Sequence, residues 1–146
     1  MNVARNAHGV HEVDVVSTLI LAPDPRAVRN ARAFVEDRCR AGGVEVEACE
    51  TAVLLTSETV TNAFVHGRSD AHITVTVGSD RVVVEVGDDN TLLPHAVRQR
   101  AESVHGRGLV ILDNLASRWG IVEHVEGKTV WFEVLFVPPP PPSAMA

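Results

Sequence analysis

Hydrophobic positions recur along this chain at two different spacings, and the spacing changes at turn-forming residues. Closely spaced apolar residues over Val13–Leu21 predict a strand. After the turn that follows, apolar positions three to four apart predict an amphipathic helix that ends before Gly42. Asp24 is expected to cap this helix, with Pro25 at its first position. The fold is therefore expected to begin near Glu12.

A second, longer helix is predicted from Val46 to His66, and Gly67 is expected to close it. Its apolar stripe is formed by Cys49, Ala52, Val53, Val60 and Ala63. Cys49 and Cys39, which lies in the first helix, lack the paired spacing of a zinc site. Both are therefore expected to be buried free thiols.

The second half of the chain predicts two β-hairpins with a helix between them. Alternating apolar residues indicate one hairpin over residues 71–86 and another over residues 121–137. The turn of the second hairpin is expected at Glu126-Gly127-Lys128, with its last strand starting at Thr129. A third helix is expected to open at Gly106. The order β, α, α, β, β, α, β, β predicts a two-layer α/β sandwich, in which helices pack on one face of a mixed, mostly antiparallel sheet.

The chain length fits a single domain, because 146 residues can bury about two-thirds of the surface that the unfolded chain exposes. We expect the folded domain to span residues 12–137, between a flexible segment at residues 1–11 and a Pro-rich tail at residues 138–146. Apolar stretches fall short of the ~20 residues of a membrane span, and the N-terminus lacks the apolar core of a signal peptide. A cytoplasmic protein without membrane association is therefore expected.

The formal net charge of −6 narrows the range of partners. An acidic chain of this kind offers no broad positive surface for the phosphates of DNA or RNA, so we expect no nucleic-acid partner. A single nucleotide stays compatible with this charge, because backbone N–H groups at a helix N-terminus and a divalent cation can hold its phosphates.

The first candidate for chemistry is a polar stripe on the second helix. Glu58, Asn62 and His66 are spaced four residues apart, so they stack along one side of the helix. A carboxylate, an amide oxygen and an imidazole in such a row could coordinate a hard cation and handle a proton. Spacing alone leaves a second interpretation open, namely an ordinary solvated face of the helix.

Two further signals lie at the ends of predicted elements. Asp88 ends an apolar strand, where its carboxylate could accept a hydrogen bond from the exocyclic amine of adenine or serve only in a turn. Gly106-Arg107-Gly108 opens a helix, where it could either cradle a phosphate or form a flexible turn. It matches neither the Rossmann glycine pattern nor a P-loop.

Together these signals form an ordered set along the chain. The set resembles the conserved boxes of the GHKL ATPases, the superfamily of gyrase, heat-shock chaperone, histidine kinase and mismatch-repair ATPases. Within it, the set is most similar to the short bacterial anti-sigma-factor serine kinases. The resemblance covers residues 12–137 and is carried by Glu58 to His66, Asp88, His105 to Leu109, and Gly127-Lys128-Thr129.

The resemblance implies ATP and Mg²⁺ as ligands and a role for each matching residue. Asn62 would hold Mg²⁺, Glu58 would act as the general base, and Asp88 would receive the adenine amine. His66 would contact the nucleotide or pack at the end of the helix. These residues would thus divide metal binding, proton transfer and base recognition among them.

The glycine box would bind the phosphates. Gly106 and Gly108 would flank them, with Leu109 completing the box, and Arg107 would reach a phosphate or point to solvent. Thr129 would support the adenine through a water molecule, or would be an ordinary strand residue.

One position departs from the family pattern. Asn90 lies where the superfamily usually has Gly or Ser, so it would form an altered rim of the adenine pocket. Residues 91–104 would form a short lid over the phosphates, without the glycines that a large closing motion uses.

The resemblance implies transfer of the γ-phosphoryl group of ATP to a serine of an antagonist protein. It also implies a sigma factor as an alternative partner, and it is compatible with a homodimer. The alternative is a partner-binding module without kinase activity, with or without nucleotide. A histidine kinase catalytic domain would need a dimerisation and phosphoacceptor helix pair, for which this length leaves no segment.

Overall fold

The computed structural model describes residues 14–66, 69–88, 106–125, 127–138 and 140. These residues form strand β1 (Val15–Leu21), helices α1 (Ala27–Ala41) and α2 (Val46–His66), strands β2 (Ala71–Val77) and β3 (Arg81–Asp88), helix α3 (Gly106–Leu115), and strands β4 (Arg118–His124) and β5 (Gly127–Leu135). The order of elements is the predicted one. The flexibility expected of residues 1–11 and of the end of the Pro-rich tail concerns positions outside the described residues.

The strands form one sheet in the order β1-β2-β3-β5-β4, and each neighbouring pair is antiparallel. Alternate side chains of the central strands are buried against the helices, and we call this side of the sheet the helix face. It is formed mainly by Ala71, Ile73, Val75, Val77, Val82, Val84, Val86, Phe132 and Val134. The predicted α/β fold, with helices packed on one face, is confirmed.

The three helices of the described residues lie side by side across the sheet. α1 contacts β1 and β2, α2 contacts β2, β3 and β5, and α3 contacts α2 and β4. α2 is thus the central helix, with α1 on one side and α3 on the other. Within the described parts of the chain, no helix is long and apolar enough to cross a membrane.

The start of α1 differs from the prediction. Asp24 does not cap the helix, since α1 begins at Ala27 with Arg26 as its N-cap residue and without a side-chain cap. Instead, the Asp24 carboxylate accepts a hydrogen bond of 2.8 Å from the Arg26 N–H, which closes a turn before the helix. The end of α1 agrees with the prediction, because Ala41 is followed by Gly42 and by Gly43, whose φ is 75°.

α2 buries more of its surface than its apolar stripe predicted. Leu55, Thr56 and Thr59 are buried together with most of the predicted stripe. The Thr56 hydroxyl donates to the Ala52 carbonyl at 2.7 Å, and the Thr59 hydroxyl donates to the Leu55 carbonyl at 2.6 Å. Because each hydroxyl is satisfied within the helix, threonine can take core positions here.

The two cysteines meet where α1 packs on α2. Cys39 and Cys49 are both buried and free, as predicted, and a hydrogen bond joins their side chains. Burial is the main cause that raises the pKa of the Cys39 thiol to about 12, and the neighbouring Cys49 raises it further. Burial likewise raises the pKa of Cys49. Both side chains are therefore neutral core thiols at physiological pH.

Candidate functional site

One end of the sheet brings the candidate residues of β3 and α2 together. Asp88, the last residue of β3, pairs in register with Ala71 of β2 on one side and with Lys128 of β5 on the other. α2 ends at His66, and only residues 67–70 separate it from Ala71. The C-terminal end of α2 therefore lies at the same end of the sheet as Asp88, which we call the Asp88 end.

The direction of α3 places its N-terminus at the Asp88 end as well. The two residues after Leu115 lead into β4 at Arg118, whose register partner Glu133 lies near the far end of β5. A hydrogen bond of 3.2 Å from Trp119 Nε1 to Asp113 Oδ1 ties the last turns of α3 to β4. Because a ten-residue helix is ~15 Å long, α3 extends from there back towards the Asp88 end.

Glu58 and Asn62 lie on the side of α2 that faces α3. On the other side of α2, Cys49, Val53 and Ser57 line a groove shared with α1. Glu50 and Leu54 line the groove as well, and at 100° per residue the stripe of Glu58 and Asn62 is turned by ~130° from the mean direction of these groove-lining residues. Since α1 occupies the groove side, Glu58 and Asn62 are directed towards the α3 side, and both are partly buried.

Asp88 presents a buried carboxyl group on the helix face. Strand residues alternate between the two faces, so Asp88 shares its face with Val86 and Val84 of the core. The residue is only 7% exposed. An acidic side chain at the end of a core strand has the chemistry and the position that recognition of an exocyclic amine requires.

Thr129 lies on the opposite face of the sheet from Asp88. The register pairs Thr129 with Gly87, not with Asp88, and its hydroxyl lies 2.9 Å from Nε2 of His124. A Cβ atom on Gly87 would lie 3.3 Å from the Thr129 hydroxyl oxygen, in keeping with their shared face. The structure therefore does not bring the Thr129 side chain and the Asp88 carboxyl group together.

The residue of β5 that shares the face of Asp88 is Lys128. It is the register partner of Asp88 on β3 and of Glu123 on β4, and it is partly buried. Burial lowers the pKa of the Lys128 ammonium, while the carboxylates of Asp88 and Glu123 act in the opposite direction. A cation is thus held between two anions across three strands.

Sequence reasoning missed Lys128 because it assigned this residue to a turn. In the structure, β5 begins at Gly127, two residues before the predicted strand. The signal that could have identified Lys128 is alternation, since Val130, Phe132 and Val134 continue its face into the core.

The N-terminus of α3 is suited to an anion. Gly106 is the first residue of the helix and Gly108 lies in its first turn, which contains no acidic residue. Backbone N–H groups and the helix dipole therefore contribute positive potential there, and the first turn itself adds no carboxylate.

Several predicted site positions lie outside the described residues. These are Asn90, the lid over residues 91–104, and the side chains of His66, Arg107 and Leu109. The structure thus places Asp88 and the C-terminal end of α2 at the same end of the sheet, with Asn62 about one turn and Glu58 about two turns before His66.

Comparison with known proteins identifies the family of this domain. The family model of the histidine kinase-like ATPase domain matches residues 21–134. This range runs from the last residue of β1 into β5, so it contains both helices of the site and the strand ends that carry Asp88 and Lys128. No curated protein matches the chain. The match covers most of the 146 residues, and the chain therefore belongs to the histidine kinase-like ATPase domain family of the GHKL superfamily.

Proposed function

We propose that this protein is an ATP-dependent regulatory serine/threonine kinase of the anti-sigma-factor type. It binds ATP with Mg²⁺ and transfers the γ-phosphoryl group to a serine of an antagonist protein, and it holds a sigma factor as its alternative partner. Family membership supports ATP binding and a regulatory role. The observation that carries the proposal is that the buried carboxyl group of Asp88 lies at the same end of the sheet as the C-terminal end of α2, the helix that bears Glu58 and Asn62.

Base recognition is assigned to Asp88. Its buried carboxylate accepts a hydrogen bond from the adenine amine, in a setting where an unmatched polar contact would be costly. Because guanine carries a carbonyl oxygen at the corresponding position, the same carboxylate disfavours it. The site is therefore specific for adenine nucleotides.

The phosphates are assigned to the region between α3 and α2. The N–H groups at Gly106 and Gly108 bind phosphate oxygens, and the α3 dipole contributes favourable potential. Asn62 supplies an amide oxygen for Mg²⁺, which when bound neutralises phosphate charge and orients the transferred group. The acceptor of the phosphoryl group then has to approach from the α2 side.

Glu58 is assigned the role of general base. It lies one helical turn before Asn62 on the same side of α2, so proton transfer and metal binding are placed next to each other. Phosphoryl transfer needs positioning, charge neutralisation and a base near the attacking hydroxyl group, and these residues provide all three.

A partner-binding module without kinase activity is the competing function. The Asn90 departure favours it, since this residue would alter the rim of the adenine pocket. Both functions place the protein in the cytoplasm with protein partners, and both are compatible with a homodimer. They differ in whether phosphate leaves the nucleotide.

Two measurements test the proposal in order. Mg-ATP is expected to raise the melting temperature of the protein, because a ligand that binds only the folded state stabilises it. With labelled ATP and the cognate antagonist, label is expected on an antagonist serine. No thermal shift would refute nucleotide binding, whereas a shift without label transfer would support the partner-binding module.

A further inference from the structure

Lys128 and Asp88 place a hydrogen-bond donor beside an acceptor. They are register partners on neighbouring strands and share the helix face, so their Cα atoms are separated by about one strand spacing. Asp88 can only accept hydrogen bonds when ionised, and the Lys128 ammonium can only donate. Such a pair can recognise two adjacent groups of a ligand that have the opposite character.

The Watson–Crick edge of adenine has that character. Its exocyclic amine donates, and the adjoining ring nitrogen N1 accepts. We propose that Lys128 is a specificity-determining residue that donates a hydrogen bond to N1 of adenine while Asp88 accepts from the amine. The proposal rests on the adenine site proposed above and adds a second recognition contact to it.

The placement of the neighbouring residues supports this role. Thr129, the other polar residue in this part of β5, has its hydroxyl on the opposite face beside His124. Lys128 is therefore the side chain of this strand segment that can meet a ligand held by Asp88. Its partly buried position strengthens a hydrogen bond that it makes, because competing water is reduced.

The carboxylates on either side oppose the lowering of the Lys128 pKa by burial, which is the larger effect. Asp88 and Glu123 flank it across the sheet and favour the charged ammonium, against the effect of burial. The ammonium also limits the repulsion that Asp88 would exert on nucleotide phosphates. If Lys128 served only to neutralise Asp88, ligand affinity would not depend on whether the purine has nitrogen or carbon at position 1. If Lys128 donates to N1, the affinity depends on that atom, so the two roles can be distinguished by experiment.

The pair also sharpens discrimination against guanine. In the orientation of adenine, guanine would present a carbonyl oxygen to Asp88 and an N1–H donor to Lys128, so both contacts would be mismatched. Guanine could satisfy the pair only by sliding along its edge until the carbonyl oxygen faced Lys128. Asp88 thus requires an amine on the base, and Lys128 additionally restricts where the base can lie in the site.

The test compares ATP with 1-deaza-ATP, in which a C–H group replaces N1. We would measure both dissociation constants calorimetrically, with Mg²⁺, for the wild-type protein and for Lys128→Met, which keeps an unbranched side chain one atom shorter and removes the donor. The wild-type protein is expected to bind 1-deaza-ATP about 10- to 100-fold more weakly than ATP, as loss of a hydrogen bond to a charged group predicts. Lys128→Met should bind both ligands with similar, reduced affinity.

Thr76→Val provides the control, because Thr76 lies on the opposite face of the sheet from Lys128 and near the end of β2 that is away from Asp88. It should discriminate between the two ligands as the wild-type protein does. If the wild-type protein binds ATP and 1-deaza-ATP equally, the role of Lys128 is refuted without recourse to any variant. Equal discrimination by the wild type and Lys128→Met would refute it too, while leaving the ATP site intact. A wild-type protein that binds neither nucleotide would refute the proposed function itself, and this inference with it.

Discussion

The buried carboxylate of Glu133 pairs with the guanidinium group of Arg81 across β3 and β5, with Nη1 and Oε1 3.1 Å apart. The Glu133 side chain is 7% exposed, whereas that of Arg81 is 45% exposed. Arg118 is a more distant second partner, with its Nε 4.0 Å from the same carboxylate. Arg81 thus compensates an acidic group that the fold has removed from water.

Removal of Arg81 should therefore destabilise the protein. We expect Arg81→Ala to lower the free energy of unfolding by about 1–2 kcal/mol, less than for a fully buried pair because Arg118 and solvent still reach the carboxylate. Arg26→Ala is the control, since Arg26 and Asp24 form an exposed pair at 3.5 Å and should contribute below about 0.5 kcal/mol. Urea unfolding of both variants gives the comparison, and equal effects would contradict the expectation.

Substitutions at two positions one turn apart on α2 should affect nucleotide binding and phosphoryl transfer separately. Asn62→Ala should abolish Mg-dependent nucleotide binding, because it removes the amide oxygen assigned to the cation. Glu58→Ala should leave ATP affinity nearly unchanged and lower phosphoryl transfer by about 10²- to 10⁴-fold, as loss of a general base does. Calorimetry and label transfer measure the two effects. Wild-type transfer by Glu58→Ala would exclude Glu58 as the base.

Nucleotide selectivity should depend on Asp88. We expect ATP and ADP to bind far more tightly than GTP, and Asp88→Asn to weaken ATP binding by about 10- to 100-fold. The physical reason is that a neutral amide is a poorer acceptor and can present its N–H group to the adenine amine. Competition against a fluorescent adenine nucleotide measures all three ligands. Equal affinity of the wild-type protein for ATP and GTP would remove the adenine assignment.

Close packing at the end of α1 should make Gly42 intolerant of a side chain. A Cβ atom at Gly42 would lie 3.1 Å from the Cβ of Val77, a buried residue of β2, and still closer to one of its methyl groups. Gly42→Ala should cost about 1–3 kcal/mol of stability through overpacking. Gly43→Asn is the control, because Gly43 has φ of 75° and open space around it, which Asn tolerates. Thermal unfolding should show the larger loss for Gly42→Ala.

Alkaline pH should weaken the fold through Cys39. The folded protein keeps this thiol protonated up to a pKa of about 12, whereas the unfolded chain releases the proton near the ordinary value of 9.0. Between these values the unfolded state binds fewer protons, so stability falls as pH rises, by up to about 1.4 kcal/mol per pH unit from this group. Cys39→Ala should lose less stability than the wild type over that range. Parallel pH profiles of the two proteins would contradict the prediction.

The fold was predictable from the sequence because its signals are local and mutually consistent. The helix predicted from Val46 to His66 has the same bounds in the structure, and buried and partly buried residues alternate along β2 as a strand requires. Predictions that depended on one turn residue were less accurate. At Asp24, the carboxylate closes a turn rather than capping α1, and spacing does not distinguish these two uses of the same side chain.

The site was predictable in its residue types but not in every orientation. Glu58, Asn62 and Asp88 remain predicted site residues, and helix spacing and strand ends allowed the position of each on its helix or strand to be predicted. Thr129 was predicted from its motif. Successive residues of a strand point to opposite faces of the sheet, and in β5, which begins at Gly127, the residue that shares the face of Asp88 is Lys128 rather than Thr129. Local composition does not determine where a strand begins, because pairing with β3 decides it.

The pairing of β3 with β5 also has a consequence for how the domain folds. β2–β3 and β4–β5 are hairpins of short contact range, but Asp88 and Lys128 are 40 residues apart along the chain, from positions 88 and 128. Loop-closure entropy delays such distant contacts relative to local ones during folding. The Asp88–Lys128 pair is therefore assembled only when the two halves of the polypeptide join. If this pair recognises the nucleotide as proposed, nucleotide binding should report on the cooperatively folded domain and not on either hairpin alone.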